Sequence, residues 1–211
     1  MLRVRRRALP AASLAACLLA VASIALAPGV APASPATRTV KVSPTTSAGA
    51  LRPGYTVMHT RRGASCEAGS DVISGVYRCF AGNSVLDPCW ADAAAGATQV
   101  VCLLEPWSHT LTRLYLASAP ESSPAGPLYV WGLQLATGQR CLAAQGTHDL
   151  LDGQAIDFYC GSTPGLALLG EPDRAHATWR IRQAHARSRG YALGSFVTIA
   201  TAWYGLPSGP P

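Results

Sequence analysis

The chain has 211 residues, with 17 Lys and Arg against 11 Asp and Glu, a formal net charge of +6. Four of those bases, Arg3, Arg5, Arg6 and Arg7, sit in the first seven residues with no acid, so the remainder carries thirteen bases against eleven acids, a net of +2. That near balance argues against a nucleic-acid binder, which needs a concentrated basic face, and about 140 residues after the N-terminal segments suffice for one domain.

Residues 1–33 read as a secretory signal. A charged start is followed by the Ala/Leu/Val/Ile-rich stretch from Ala8 to Ala27 and by Ala31-Pro32-Ala33. Small residues at −3 and −1 predict cleavage after Ala33. Leu14-Ala15-Ala16-Cys17 also fits the pattern at which lipoproteins are processed, which makes Cys17 a possible lipidation site. The chain would meet a membrane only if it were lipidated there or kept its signal.

Residues 34–62 are rich in Pro, Thr, Ser, Gly and Ala and read as a flexible tether, with a short strand possible at Tyr55 to Met58. Residues 63–205 read as one β-rich globular domain, and 206–211 as a disordered tail. In chain order, strands are expected at Val76 to Phe80, Gln99 to Leu104, Leu111 to Leu116, Leu128 to Leu135, Arg140 to Ala144, Ala155 to Cys160, Thr178 to Gln183 and Phe196 to Tyr204. Turn chemistry marks Asn83 to Pro88, Thr137-Gly138-Gln139 and, most clearly, Asp152-Gly153. The loop from Ser118 to Pro127 splits the domain into two halves. Alanine-rich Trp90 to Ala95 predicts one short helix, and Leu166 to Gly170 reads as a helical turn or a strand. The fold class is therefore mainly β, a small disulfide-stapled sandwich or barrel with at most one or two short helices.

The six cysteines after the signal are even in number, which in an exported chain reads as a disulfide framework. The expected pairing is sequential: Cys66 with Cys79, Cys89 with Cys102, and Cys141 with Cys160. A zinc site fails on spacing, with no C-x₂-C pair and no nearby His doublet. No cysteine is left over as a nucleophile.

The candidate acid–base groups are His59, His109, His148, His176 and His185, with Glu105, Asp149, Asp152 and Asp157. Ser84 and Ser195 lack a nucleophile-elbow context, and no P-loop, dinucleotide fingerprint or H-E-x-x-H motif appears, so no catalytic residue, cofactor or metal is expected. The run Arg180, Arg182, Arg187, Arg189, with His185 inside it, reads as a solvated strand end and loop. Of the five tryptophans, Trp90 and Trp179 read as core, while Trp107, between Pro106 and Ser108, is the candidate for an exposed binding platform.

Several runs resemble a family of exported actinobacterial proteins of unassigned function: Cys66-Glu67-Ala68-Gly69-Ser70, Tyr77 to Asn83, Asp87-Pro88-Cys89-Trp90, Pro106-Trp107-Ser108, Gly138 to Cys141 and Ala202-Trp203-Tyr204. That resemblance implies an envelope or extracellular location and assigns no activity. Separately, Gly138 to Ile181 resembles one repeat of a ricin-type β-trefoil lectin, which implies sugar binding through Asp152, Gln154 and Trp179. Only one such repeat is found, and Ala177 stands where the repeat has Gln. The functional expectation is an exported, non-catalytic binding module whose partner is cell-wall carbohydrate or another envelope protein, with a small secreted hydrolase as the alternative.

Overall fold

The computed structural model describes residues 35–124, 126–161 and 165–207. The expected signal, with Cys17 and the cleavage after Ala33, lies outside the described residues, as does the tail from residue 208 on. The described residues form one compact unit, built entirely of strands and turns and closed into two small barrels.

The first barrel contains β2 (Thr56–Ala68), β3 (Tyr77–Ala81), β4 (Ser84–Ala91), β5 (Gln99–Cys102) and β6 (Thr110–Leu116). Neighbours pair antiparallel in chain order, and a parallel ladder between β2 and β6 closes the ring. The second contains β7 (Val130–Leu135), β8 (Arg140–Ala143), β10 (Gln154–Cys160), β11 (Leu166–Asp173), β12 (Arg180–Ala186) and β13 (Tyr191–Gly205), with β13 pairing back onto β7. A two-residue strand, β9 (Leu150–Leu151), pairs with β10. The Ser118–Pro127 loop is the joint between the barrels, where the sequence divides the chain into halves. The choice left open between sandwich and barrel resolves as two barrels.

The alternation of side chains across each strand serves two cores at once. Val100 and Cys102 of β5 point into the first barrel, together with Ala64, Cys79, Leu86, Cys89 and Leu114. Val101 and Leu103 point the other way, into a seam against the second barrel. The second barrel is filled by residues from all six of its strands, among them Leu133, Cys141, Phe158, Leu168, Ile181 and Ile199. The seam holds Trp90, Trp131 and Trp203, all buried, with Val42, Ile73 and Leu111. The Trp90 and Trp131 ring centroids lie 5.8 Å apart, and Trp90 Nε1 donates to the Leu206 carbonyl at 2.7 Å. Gly205 is needed at this seam because a Cβ there would collide with the Ile73 side chain.

Each disulfide joins residues that face each other directly on adjacent antiparallel strands: Cys66–Cys79, Cys89–Cys102 and Cys141–Cys160. Closed loops of this size stabilise a fold by about 3 kcal/mol each in the chain-entropy picture. Three bridges also mark a chain that matures in oxidising surroundings.

Three expectations are corrected. Asn83 to Pro88, expected as a turn, is strand β4 from Ser84 on, with only Gly82 and Asn83 left in the turn. Residues 34–62 are not a tether in their described part. β1 (Arg38–Val42) pairs in parallel with β13 from Thr201 to Gly205. β7 occupies one side of β13 over Ile199–Tyr204, so β1 takes the side that β12 leaves at Thr198. The Thr37 hydroxyl adds a bond to the Ile199 carbonyl at 2.6 Å, and β2 already begins at Thr56. The expected helix at Trp90 to Ala95 is the end of β4 followed by a turn. Cys89, Trp90 and Ala91 are held in register with Cys102, Val101 and Val100, and the ladder, the cystine and Trp90 burial outweigh alanine's helical propensity. Asp92, 2% exposed, then anchors the turn through an ion pair with Arg113 at 2.8 Å. Leu166 to Gly170 is strand.

If the seam couples the barrels, Trp203→Ala costs about 3–5 kcal/mol and leaves a single unfolding transition in urea. A loss below about 1 kcal/mol, or two separated transitions, would show that each barrel stands alone.

Candidate functional site

Where the seam opens to solvent, a cleft of about 390 Å³ lies between the barrels. Its first wall is the chain entering β7, with Leu128 and Tyr129 44% and 50% exposed. Its second is the β8–β10 region, which supplies His148 and Asp157, and β11 adds Glu171 followed by Arg174. The first barrel contributes Asp71 and the seam residue Val72.

The Asp152-Gly153 turn builds part of this site. Both residues have positive φ, 50° and 80°, as a two-residue hairpin of the I′ kind requires. Leu151 pairs with Gln154 and Leu150 with Ala155, and the Ile156 amide reaches the Asp149 carbonyl at 2.8 Å. Continuing that register sets His148 opposite Asp157. His148 Nδ1 lies 3.0 Å from Asp157 Oδ1 and 3.1 Å from the Ile156 carbonyl. Two acceptors facing Nδ1 fix the proton there in the neutral ring and leave the lone pair on Nε2.

Asp71 is held by Arg78 at 2.9 Å and by the Gly146 amide at 2.9 Å, so one carboxylate ties the first barrel to the β8–β9 loop of the second. Behind it sits Asp87, fully buried. Its Oδ2 accepts from the Asp71 amide at 2.9 Å, and its backbone carbonyl accepts from Gln145 Nε2 at 2.7 Å. Oδ1 meets no donor among the described residues. Burial, above all, pushes the Asp87 carboxyl up to about 6, helped by the Asp71 charge and opposed by hydrogen bonds from Ser70 and the Asp71 amide and by Arg78.

The four residues expected to bind ligand are not brought together by any one of these features. Trp107 packs edge-on against Trp203 with centroids 5.3 Å apart, its Nε1 donates to Glu105 Oε2 at 2.7 Å, and Arg140 lies 5.3 Å over its ring. It is half-buried at the rim of the seam. Gly132 makes that packing possible, since a Cβ would come within 2.6 Å of Pro106 Cγ. Trp107 does line a separate shallow cleft of about 430 Å³ with Glu105 and Arg140. Asp152 and Gln154 flank the exposed hairpin turn. Trp179 packs at the edge of the second core, under the Arg174 guanidinium at 5.1 Å.

Other candidate groups have local partners. Asp149 accepts from the Tyr159 hydroxyl at 3.0 Å, the His109 ring lies 5.4 Å from that of Tyr55 at a tilt of 47°, and Ser84 accepts from Arg61 at 3.1 Å. The sulfurs of Cys79, Cys89 and Cys102 lie within 4.8 Å of one another, but all three are in disulfides and offer no thiolate. Asp71, Asp87, Tyr129, Glu171 and Arg174 carry no sequence signal of their own; only the packing of one barrel on the other gathers them.

The chain matches no protein-family model, no curated protein and no solved structure. Neither resemblance drawn from the sequence is supported by these comparisons.

Because the fold raises the Asp87 carboxyl above its unfolded range, the folded state holds this proton more tightly. The resulting stabilisation is fully present below about pH 4 and is lost as pH rises through about 6. Asp87→Asn should therefore gain on the parent protein by up to about 3 kcal/mol between pH 4 and pH 7, read from urea midpoints at several pH values. A constant difference across that range would show that Asp87 does not titrate as assigned.

Proposed function

We propose that this protein is an exported, non-catalytic binding module, and that the cleft between its barrels takes carbohydrate of the cell envelope. The observation that carries the reading is the pairing, in one open cleft, of the exposed Tyr129 ring with Asp71, Asp157, Glu171 and Arg174. A sugar offers an apolar face for an aromatic ring and a rim of hydroxyls for charged hydrogen-bonding groups, and sites of this kind combine an apolar floor with a few placed polar groups. The three disulfides and the signal-like N-terminus support a place outside the cytoplasm.

Titration of the protein with soluble peptidoglycan fragments should give saturable binding that Tyr129→Ala weakens by about tenfold or more. Trp107→Ala should leave binding intact while lowering stability. The reverse pattern would move the site to the shallow cleft of Glu105, Trp107 and Arg140, and absence of binding to any envelope glycan would overturn the reading.

The His148–Asp157 contact favours hydrolysis as the second reading. Nε2 of His148 would take a proton from water, since the cleft lining contains no Ser, Thr or Cys. On that reading His148→Gln lowers the hydrolysis rate on the same fragments by about a hundredfold and leaves their affinity unchanged. If the parent protein leaves the fragments uncut over days, the hydrolase is excluded.

A further inference from the structure

Asp173 is the last acidic residue in the sequence; after it come five arginines, Arg174, Arg180, Arg182, Arg187 and Arg189, and two histidines. Four of those arginines and His185 fall on one hairpin, β12 and the start of β13. Arg187 donates its amide to the Gly190 carbonyl at 2.8 Å, and Gly190 has φ +75°, so Arg187 and Arg189 stand on the exposed tip. Along the strands the charge is ordered rather than dispersed. Arg182 faces Phe196 directly in the ladder, and the Arg180 and Arg182 guanidinium carbons lie 5.9 and 5.7 Å from the Phe196 ring centroid. Phe196 is nevertheless 55% exposed, and Leu193 on the same strand is 42% exposed. The acid that meets this group is Asp173, 3.9 Å from Arg180 in a solvent-exposed pair.

We propose that this hairpin docks the protein on an anionic phospholipid surface. Guanidinium groups match phosphate with paired donors, and a cluster of four arginines met by the one exposed carboxylate of Asp173 gains from the potential of an anionic leaflet. Charge alone would suit any polyanion. Phe196 and Leu193 select the bilayer, because large apolar side chains left in water beside cations are the combination that enters the headgroup boundary. The sequence-based expectation of a merely solvated strand end accounts for the arginines but not for the exposure of Phe196 and Leu193 beside them. None of the four hairpin arginines, Leu193 or Phe196 lines the cleft, so the proposal does not depend on what the cleft binds.

The test is co-sedimentation of the full chain with vesicles of phosphatidylglycerol mixed into phosphatidylcholine, against phosphatidylcholine alone. The parent protein and its variants carry the same residues 1–34, so any affinity of that apolar stretch is common to all. The parent protein should prefer anionic vesicles and lose that preference at about 0.5 M salt. The exposed-tip variant R187S/R189S should bind anionic vesicles roughly 25-fold more weakly, from roughly fivefold per arginine. Phe196→Ser should weaken binding yet keep its salt dependence. Equal binding to neutral and anionic vesicles, or full binding by R187S/R189S, would overturn the proposal. So would retention on soluble polyphosphate without binding to vesicles.

Discussion

The tryptophan seam is the constraint on which the rest of the molecule depends. Each barrel is too small to bury much surface by itself, and part of the interior goes to cystines, two in the first barrel and one in the second. Trp90 from one side and Trp131 and Trp203 from the other supply the large shared apolar surface that neither barrel contains. The Trp90 indole donates to the Leu206 carbonyl, and Trp107 at the rim is held by Glu105 and Arg140. The cleft is a by-product of the same seam. It lies where the two curved surfaces part, and Val72 belongs to both.

Local signals in the sequence hold at the Asp152-Gly153 hairpin and at the three cystines, where both partners lie close along the chain. Asp152-Gly153 marks a hairpin because only a pair tolerant of positive φ makes that turn. The cystines pair sequentially because each closes neighbouring antiparallel strands. The largest failure involves distant partners. β1 is a short polar strand whose ladder lies on β13, and its Thr37 anchor spans 162 positions to Ile199. Composition therefore reads the segment as unstructured. β4 hides behind turn-like Asn83 and the Asp87-Pro88 pair, which the fold accepts as a cis peptide beside a buried carboxylate. The alanines after Trp90 suggest a helix to local propensity, yet tertiary burial on both sides of the strand decides otherwise.

The candidate site divides along the same line. His148 and Asp157 are nine positions apart and visible as candidates, and their meeting follows from the hairpin register once the turn is recognised. Tyr129, Asp71, Asp87, Glu171 and Arg174 come from separate strands and loops, so no spacing connects them. Tryptophan was the weakest guide. Residue type predicts apolar area well but not which side of a strand faces a second barrel, and Trp107, singled out for its polar neighbours, is drawn inward by Trp203.

The parallel pairing of β1 with β13 carries a consequence for biogenesis. The earliest strand of the described fold is completed only by the latest, so a growing chain can close β2 to β6 while β1 waits without its partner. The second barrel's edge remains open until Tyr191–Gly205 has been made. Such an order of assembly delays completion of the described fold until β13 has been made, although the first barrel can close earlier.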